Sequence, residues 1–258
     1  MSASGAKRPW THSLSASAAP RDQSEGRVLN KRVDFRAHGD TAEWSPGHAP
    51  PQPARVTGQA SVATSRRKRL FDALMSFGAL LFFLPLLLTI AVLVKLESRG
   101  PALFRQRRTG LNGAIFTVFK FRTMTVAEDG DVVRQATLGD MRVTALGAIL
   151  RKYSLDELPQ LLNVLRGEMS LIGPRPHAVA HDETWGQLAP GYDRRFRARP
   201  GLTGYAAVCG FRGEVKELQA IIDRVEADNE YIDTWCFALD IRIVLRTIPL
   251  IFSDTRAY

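Results

Sequence analysis

Between Asp72 and Lys95 lie 22 consecutive residues without a charge, Ala73 to Val94. As a straight helix they would extend about 33 Å and match the hydrocarbon core of a bilayer. A soluble core rarely buries a helix of that length that is apolar on every side. Basic residues flank the run at both ends: Arg66, Arg67, Lys68 and Arg69 precede it, and Lys95, Arg99, Arg105, Arg107 and Arg108 follow it. Because basic flanks stay in the cytoplasm, both ends are expected on the same side. Pro85 sits near the middle, where it removes a helical hydrogen bond and crowds the preceding turn. Together these features suggest a broken helix that enters the membrane and returns. A single span with a tolerated proline fits the residues alone equally well.

The remaining chain divides unevenly. Residues 1–69 hold 12 basic and 5 acidic residues, so most of the formal +9 sits there, and the body is nearly neutral. Residues 1–65 are rich in Ser, Ala, Pro, Arg and His without helical or strand periodicity, and are expected to form a poorly ordered basic tail. The apolar run lies too deep in the chain for a cleaved signal peptide. The expected organisation is therefore a tail over 1–65, a membrane helix over 66–99 and a cytosolic-face domain over 100–258. With only Cys209 and Cys236, and no CxxC pair, a disulfide framework is excluded and a reducing compartment is expected. Both cysteines read as small buried hydrophobes.

Within the body, Ile115–Met124 alternates β-branched and aromatic residues and reads as a strand. Residues 143–152 form a short apolar stripe with a basic end, either lying on the membrane or packed on the core. Ser154–Gly167 reads as a helix, and Leu218–Tyr231 and Phe237–Phe252 as two more. The predicted class is a helix-rich α/β domain, small and membrane-associated, with interfacial amphipathic helices.

Ser154-Leu-Asp-Glu157 has the form of a capping box, in which Ser154 caps and Glu157 reaches back. The same physics allows a second reading, since a carboxylate in the first turn is held ionised by the helix dipole. Asp156 would then serve as a nucleophile while Glu157 shares a bound divalent ion or handles a second acceptor. The Gly-Pro-Arg-Pro turn at 173–176 presents Arg175 between two prolines, as an anion grip or as a solvated loop arginine. Arg194, Arg195, Arg197 and Arg199 precede a Gly-rich turn and suit phosphates, lipid headgroups, nucleic acid or plain solvent. His177 and His181 have metal-ligand spacing but no third committed ligand, and read as surface histidines.

Several strings occur in fixed order: Lys-Arg-Leu-Phe-Asp at 68–72, Ser-Arg-Gly-Pro at 98–101, Lys-Phe-Arg-Thr-Met at 120–124, the run 151–176 around Asp156 and Glu157, and Arg-Pro-Gly-Leu-Thr-Gly at 199–204. Over Arg69–Thr255 the chain resembles the bacterial sugar transferases that are monotopic polyprenyl-phosphate phosphoglycosyl transferases. Arg-Gly-Glu at 212–214 and residues 228–235 are similar to the members that start exopolysaccharide repeat units with a hexose 1-phosphate.

The resemblance implies a re-entrant hairpin bent at Pro85 and a catalytic dyad of Asp156 and Glu157, with Mg²⁺ held there. It implies that Lys120, Arg122, Arg175 and Arg199 line the phosphates of a UDP-sugar, and that Asp240 lies near the active site. Undecaprenyl or another polyprenyl phosphate would be the acceptor, UMP the released product, and the cytoplasmic face of the inner membrane the location. Homo-oligomerisation stays open. Leu84 stands where the family often has Ser, and Ala207 and Cys209 where it often has amides, which bears on sugar or nucleotide selectivity. Larger relatives carry extra spans ahead of the catalytic unit, and this chain is expected to be the minimal form. Two rival readings remain: a membrane-tethered nucleic-acid-binding protein, disfavoured by the neutral body, and a non-catalytic scaffold, disfavoured by the intact motifs.

Overall fold

A computed structural model describes residues 62–125, 136–137, 139–213 and 217–253. The expected N-terminal tail lies outside them, apart from residues 62–65. The apolar run is one helical element, α1 (Arg66–Glu97), with Ser65 capping its first turn through a hydrogen bond from the Lys68 amide. Helical structure continues through Pro85 instead of breaking there. The Thr89 hydroxyl donates to the Pro85 carbonyl one turn back, a local bond of the kind that bends helices.

Both ends of α1 are docked on the body. At the N-terminal end, Lys68 pairs with Asp240 at 2.7 Å, and Asp72 accepts hydrogen bonds from the Ser170 hydroxyl and the Leu171 amide. At the C-terminal end, Ile90 and Val94 are buried with Phe121 and Leu150. Between them Phe77, Leu81, Phe82, Leu84 and Leu88 are exposed.

The first sheet is a hairpin. Strands β1 (Leu103–Thr109) and β2 (Ile115–Phe121) pair antiparallel from Leu103 opposite Phe121 to Thr109 opposite Ile115. Their connection turns through Asn112 and Gly113, both at positive φ, a conformation open to Asn and Gly at low steric cost. The strand expected over Ile115–Met124 ends at Phe121, although Met124 still bridges to Val143. Helix α2 (Ala145–Lys152) follows, capped by Thr144, with Leu150 buried and Ile149 exposed.

The expected helix over Ser154–Gly167 is two pieces, a 3₁₀ turn (Leu155–Gln160) and α3 (Leu161–Arg166), closed by Gly167 at φ 83°. Pro159 has no N–H to continue a regular ladder, which accounts for the tight opening turn. Asn163 fixes α3 to the hairpin: its amide donates to the Thr117 carbonyl, and its carbonyl accepts from the Phe119 amide.

Beyond α3 come β3 (Ser170–Ile172), α4 (Val179–Leu188), a 3₁₀ turn (Tyr192–Arg197), β4 (Gly201–Thr203) and α5 (Tyr205–Val208). β3 and β4 pair in parallel. Helices α6 (Leu218–Thr234) and α7 (Phe237–Ser253) match the two predicted ones closely. One core joins Ile172, Tyr231, Ile232 and Ile243, and another joins Trp185, Tyr192, Ile221 and Val225. Cys209 and Cys236 are exposed, against the expectation of burial: each lies at a helix boundary, past the last turn of α5 or just ahead of α7.

Candidate active site

The 3₁₀ turn carrying Asp156 and Glu157 packs against β2, whose Lys120 faces it. Glu157 is the hub of an ion cluster. Its Oε1 accepts from Lys120 Nζ and from an Arg175 Nη, both at 2.7 Å, while Oε2 is 3.4 Å from the other Arg175 Nη. Burial would raise this carboxyl, but Arg175 and Lys120 outweigh it and hold it well below the usual range.

Asp156 is buried, and among the described residues no hydrogen bond reaches its carboxylate. Burial pushes it up to about 6, with Glu157 adding to the rise and Lys120, Arg151 and Arg175 opposing it. Burial also lowers Lys120. The two acids therefore differ in kind: Glu157 is neutralised by tight partners, and Asp156 is a desolvated carboxylate facing cations that do not grip it.

The capping-box expectation fails here. Ser154 is in the left-handed region (φ 55°, ψ 23°), makes no side-chain cap, and accepts instead from Arg212 at 2.6 Å. Glu157 turns to Lys120 and Arg175 because two cations outbid a single backbone N–H.

The Gly-Pro-Arg-Pro turn is clamped from behind. Arg195 donates to the Arg175 carbonyl, and Arg108 to the Pro176 carbonyl. Arg195 is itself buried against Asp228 at 2.8 Å and contacts His177 Nδ1. The Arg194–Arg199 run is thus not a solvated basic face. Arg195 pairs with Asp228, and Arg194 and Arg197 both pair with Asp233 of α6. His177 is buried rather than superficial, contacting Tyr192 through Nδ1 and meeting Trp185 edge to face. Burial and then Arg195 depress it, so the ring is neutral near pH 7. Its partner in the sequence pattern, His181, stacks on Trp185, and no cluster of three metal-ligating side chains occurs among the described residues.

Of the predicted site residues, the structure brings together Asp156, Glu157, Lys120 and Arg175. Three others are engaged elsewhere. The Arg122 guanidinium donates to the Val94 and Ser98 carbonyls at the end of α1. Arg199 donates to the Gly167 and Ala63 carbonyls. Asp240 is fully buried and accepts from Lys68, Tyr231 and Trp235. In each case the side chain finds backbone carbonyls or a buried counter-ion before it can reach the dyad. Arg151 and Arg212 escaped sequence reasoning, although Arg151 opens the same motif five residues before Asp156.

The bacterial sugar transferase family matches residues 63–254. The chain belongs to that family. It is 46% identical over 239 residues to the UDP-glucose:undecaprenyl-phosphate glucose-1-phosphate transferase of Caulobacter vibrioides, covering 93% of this chain and 86% of that protein. It is 49% identical over 191 residues to the protein of the same name from Escherichia coli, covering 74% of this chain but 41% of that one. Over 185 residues it is 43% identical to an exopolysaccharide production protein of Rhizobium leguminosarum, covering 70% of this chain and 92% of that protein. The cluster around Asp156 lies inside the matched region of this sugar transferase, and α1 lies inside it too. The departures at Ala207 and Cys209 fall at α5 and its end, a helix packed on α6 and α7.

The raised Asp156 sets an expected pH dependence. If Asp156 acts as a nucleophile it must be ionised, and kcat/KM should then rise about tenfold per pH unit below an inflection near 6 and flatten above it. Folding has the opposite sign. The folded carboxyl binds its proton above the ordinary 3.8, so this group's contribution to stability is full below that value and is lost as pH rises through about 6. A rate profile flat from pH 7 down to 5 would sink this assignment of Asp156.

Proposed function

We propose that this chain transfers a hexose 1-phosphate from a UDP-sugar to polyprenyl phosphate, undecaprenyl phosphate by preference, releasing UMP and starting an exopolysaccharide repeat unit. The names of the most similar relatives favour glucose as the hexose. The observation that carries the reading is the desolvated Asp156, ringed by Lys120, Arg151 and Arg175 yet gripped by none of them through a hydrogen bond.

The chemistry divides into two displacements. An Asp156 oxygen attacks the β-phosphorus of the UDP-sugar, the bond to the UMP oxygen breaks, and an aspartyl phosphosugar remains. A polyprenyl phosphate oxygen then attacks the same phosphorus and restores the carboxylate. Lys120 and Arg175 offset the repulsion between carboxylate and diphosphate. Glu157 keeps both cations in place before the substrate arrives.

The donor set suits Mg²⁺, which takes hard oxygens from one or two carboxylates together with substrate phosphates. Glu157 and Asp156 would hold it, and its charge would further neutralise the diphosphate. UMP release from the purified protein with polyprenyl phosphate, compared across UDP-glucose and UDP-galactose, tests the proposal. Turnover with neither sugar, by a folded protein, would defeat it.

The same reading places the protein on the cytoplasmic face of the inner membrane with α1 re-entrant. Support comes from the docking of both ends of α1 on one body, through Lys68 and Asp72 at one end and Ile90 and Val94 at the other. A straight span would carry one of those ends to the far side of the membrane. Helix α7 presents a second apolar stripe, Phe237, Ile241, Leu245 and Ile248, exposed and spaced on one helical face. Phe71 of α1 meets Phe237 edge to face, so the two surfaces adjoin and suit an interfacial helix. Engineered cysteines near Ser65 and Gly110 should label from the same, cytoplasmic side, and labelling from opposite sides would exclude the hairpin.

A further inference from the structure

At the N-terminal end of α1 lies a cavity of about 590 Å³ lined by Arg66, Arg69, Arg199, Ser65, Leu70 and Ala73, among others. It is separate from the catalytic cluster. Arg69 and Arg199 grip the C-terminal end of α3 through the Val164, Leu165 and Gly167 carbonyls, whereas Asp156 precedes the start of that helix. The length of α3 alone is about 9 Å.

Among the described residues, both guanidiniums donate to backbone carbonyls alone, including Ala63 for Arg199. Carbonyls orient the groups without neutralising them, and each guanidinium has more N–H donors than the two so used. The two side chains also repel each other: burial lowers Arg199, and Arg69 lowers it further. The one acid that opposes this, Asp72, is held by Ser170 and Leu171. Arg66 adds a third, exposed cation, and the first turn of α1 adds the positive end of its dipole. The apolar wall is continuous with Leu70 and Leu74, both 62% exposed on the surface of α1.

We propose that this cavity binds the phosphate headgroup of an anionic bilayer phospholipid, with the acyl chains running along the exposed face of α1. The inference rests on the membrane-embedded reading of α1. Pre-oriented arginines supply the phosphate contacts, as planar forks do for phosphate esters generally. The adjoining apolar side chains select a lipid over a soluble phosphate. The site would fix the depth at which the catalytic domain meets the membrane.

Native mass spectrometry of the full-length, delipidated protein, given equal phosphatidylglycerol and phosphatidylcholine, reads the preference directly. Wild type should retain the anionic lipid over the zwitterionic one by about fivefold for each arginine engaged. Arg66→Gln, at an exposed position that leaves the fold intact, should lose about fivefold of that preference, and Arg66→Glu more. Arg199→Gln should reduce it further, with circular dichroism checking its fold. Equal retention of the two lipids by wild type, or an unchanged preference in both Arg66 variants, overturns the site. Added polyprenyl phosphate or inorganic phosphate should leave the retained lipid in place, and displacement by either overturns the assignment to a bilayer lipid. Flotation with phosphatidylcholine liposomes separates the two levels. A protein that floats without lipid preference loses the site alone, and one that does not float loses the membrane reading as well.

Discussion

Asp156→Asn is expected to lower UMP release by at least about a thousandfold while leaving the fold as stable as wild type or more so. The two halves of that expectation come from one fact. Asp156 is buried without a hydrogen bond from the described residues, so its charge is costly to keep and its removal relieves desolvation. Glu157→Gln should behave in the opposite order. Its carboxylate neutralises Lys120 and Arg175 at 2.7 Å each, and loss of that charge sets two cations against each other at a half-buried site. It should destabilise the protein more than Asp156→Asn does, yet retain measurable turnover.

Wild type incubated with UDP-sugar radiolabelled in the sugar, and no acceptor, should retain label as an acid-stable adduct, and Asp156→Asn should retain none. A substantially active Asp156→Asn enzyme, or a wild type that never traps label, would defeat covalent catalysis while leaving the family assignment intact.

The parts of the site that could be read along the chain are those where function and local sequence coincide. Asp156 and Glu157 are adjacent, Lys120 sits in an alternating strand, and Arg175 sits between prolines, so each can be picked out along the chain, although Lys120 and Arg175 reach Glu157 only through tertiary packing. Arg122, Arg199 and Asp240 stand apart from the cluster around Asp156, engaged with other partners. A charged residue in a motif does not say which partner it meets, and here the two arginines donate to carbonyls while Asp240 pairs with Lys68. Asp228 was equally hidden: it lies 33 positions from Arg195, the arginine that it neutralises in the core.

The secondary structure was legible where periodicity was strong, as in α6 and α7. It was misread at Ser154, where a left-handed residue stabilised by Arg212 mimics a capping box in sequence alone. The long apolar helix was legible in extent, Arg66–Glu97 against the expected 66–99, but a chain pattern cannot say that both of its ends dock on one body.

Asp240 gives the sharpest separation between a resemblance and the structure. If it served substrate, Asp240→Asn would raise KM and spare stability. The geometry demands the reverse. Asp240 is fully buried, Lys68 is 3% exposed, and their 2.7 Å pair ties the first turn of α1 to α7. Asparagine has one acceptor oxygen, whereas Tyr231 and Trp235 donate to different oxygens of Asp240, so it could keep only one of those bonds, and it would leave the Lys68 ammonium buried without a counter-charge, a change that costs about 3–5 kcal/mol. The expected result is therefore a large fall in thermal stability in detergent, with KM for the UDP-sugar near wild type in the protein that remains folded. Pairing Asp240→Leu with Lys68→Met should recover much of the loss, because two matched apolar groups need no desolvation of charge. That recovery would mark the pair as an anchor between the apolar helix α1 and the rest of the domain. An Asp240→Asn protein with unchanged stability and a raised KM would return the residue to the substrate.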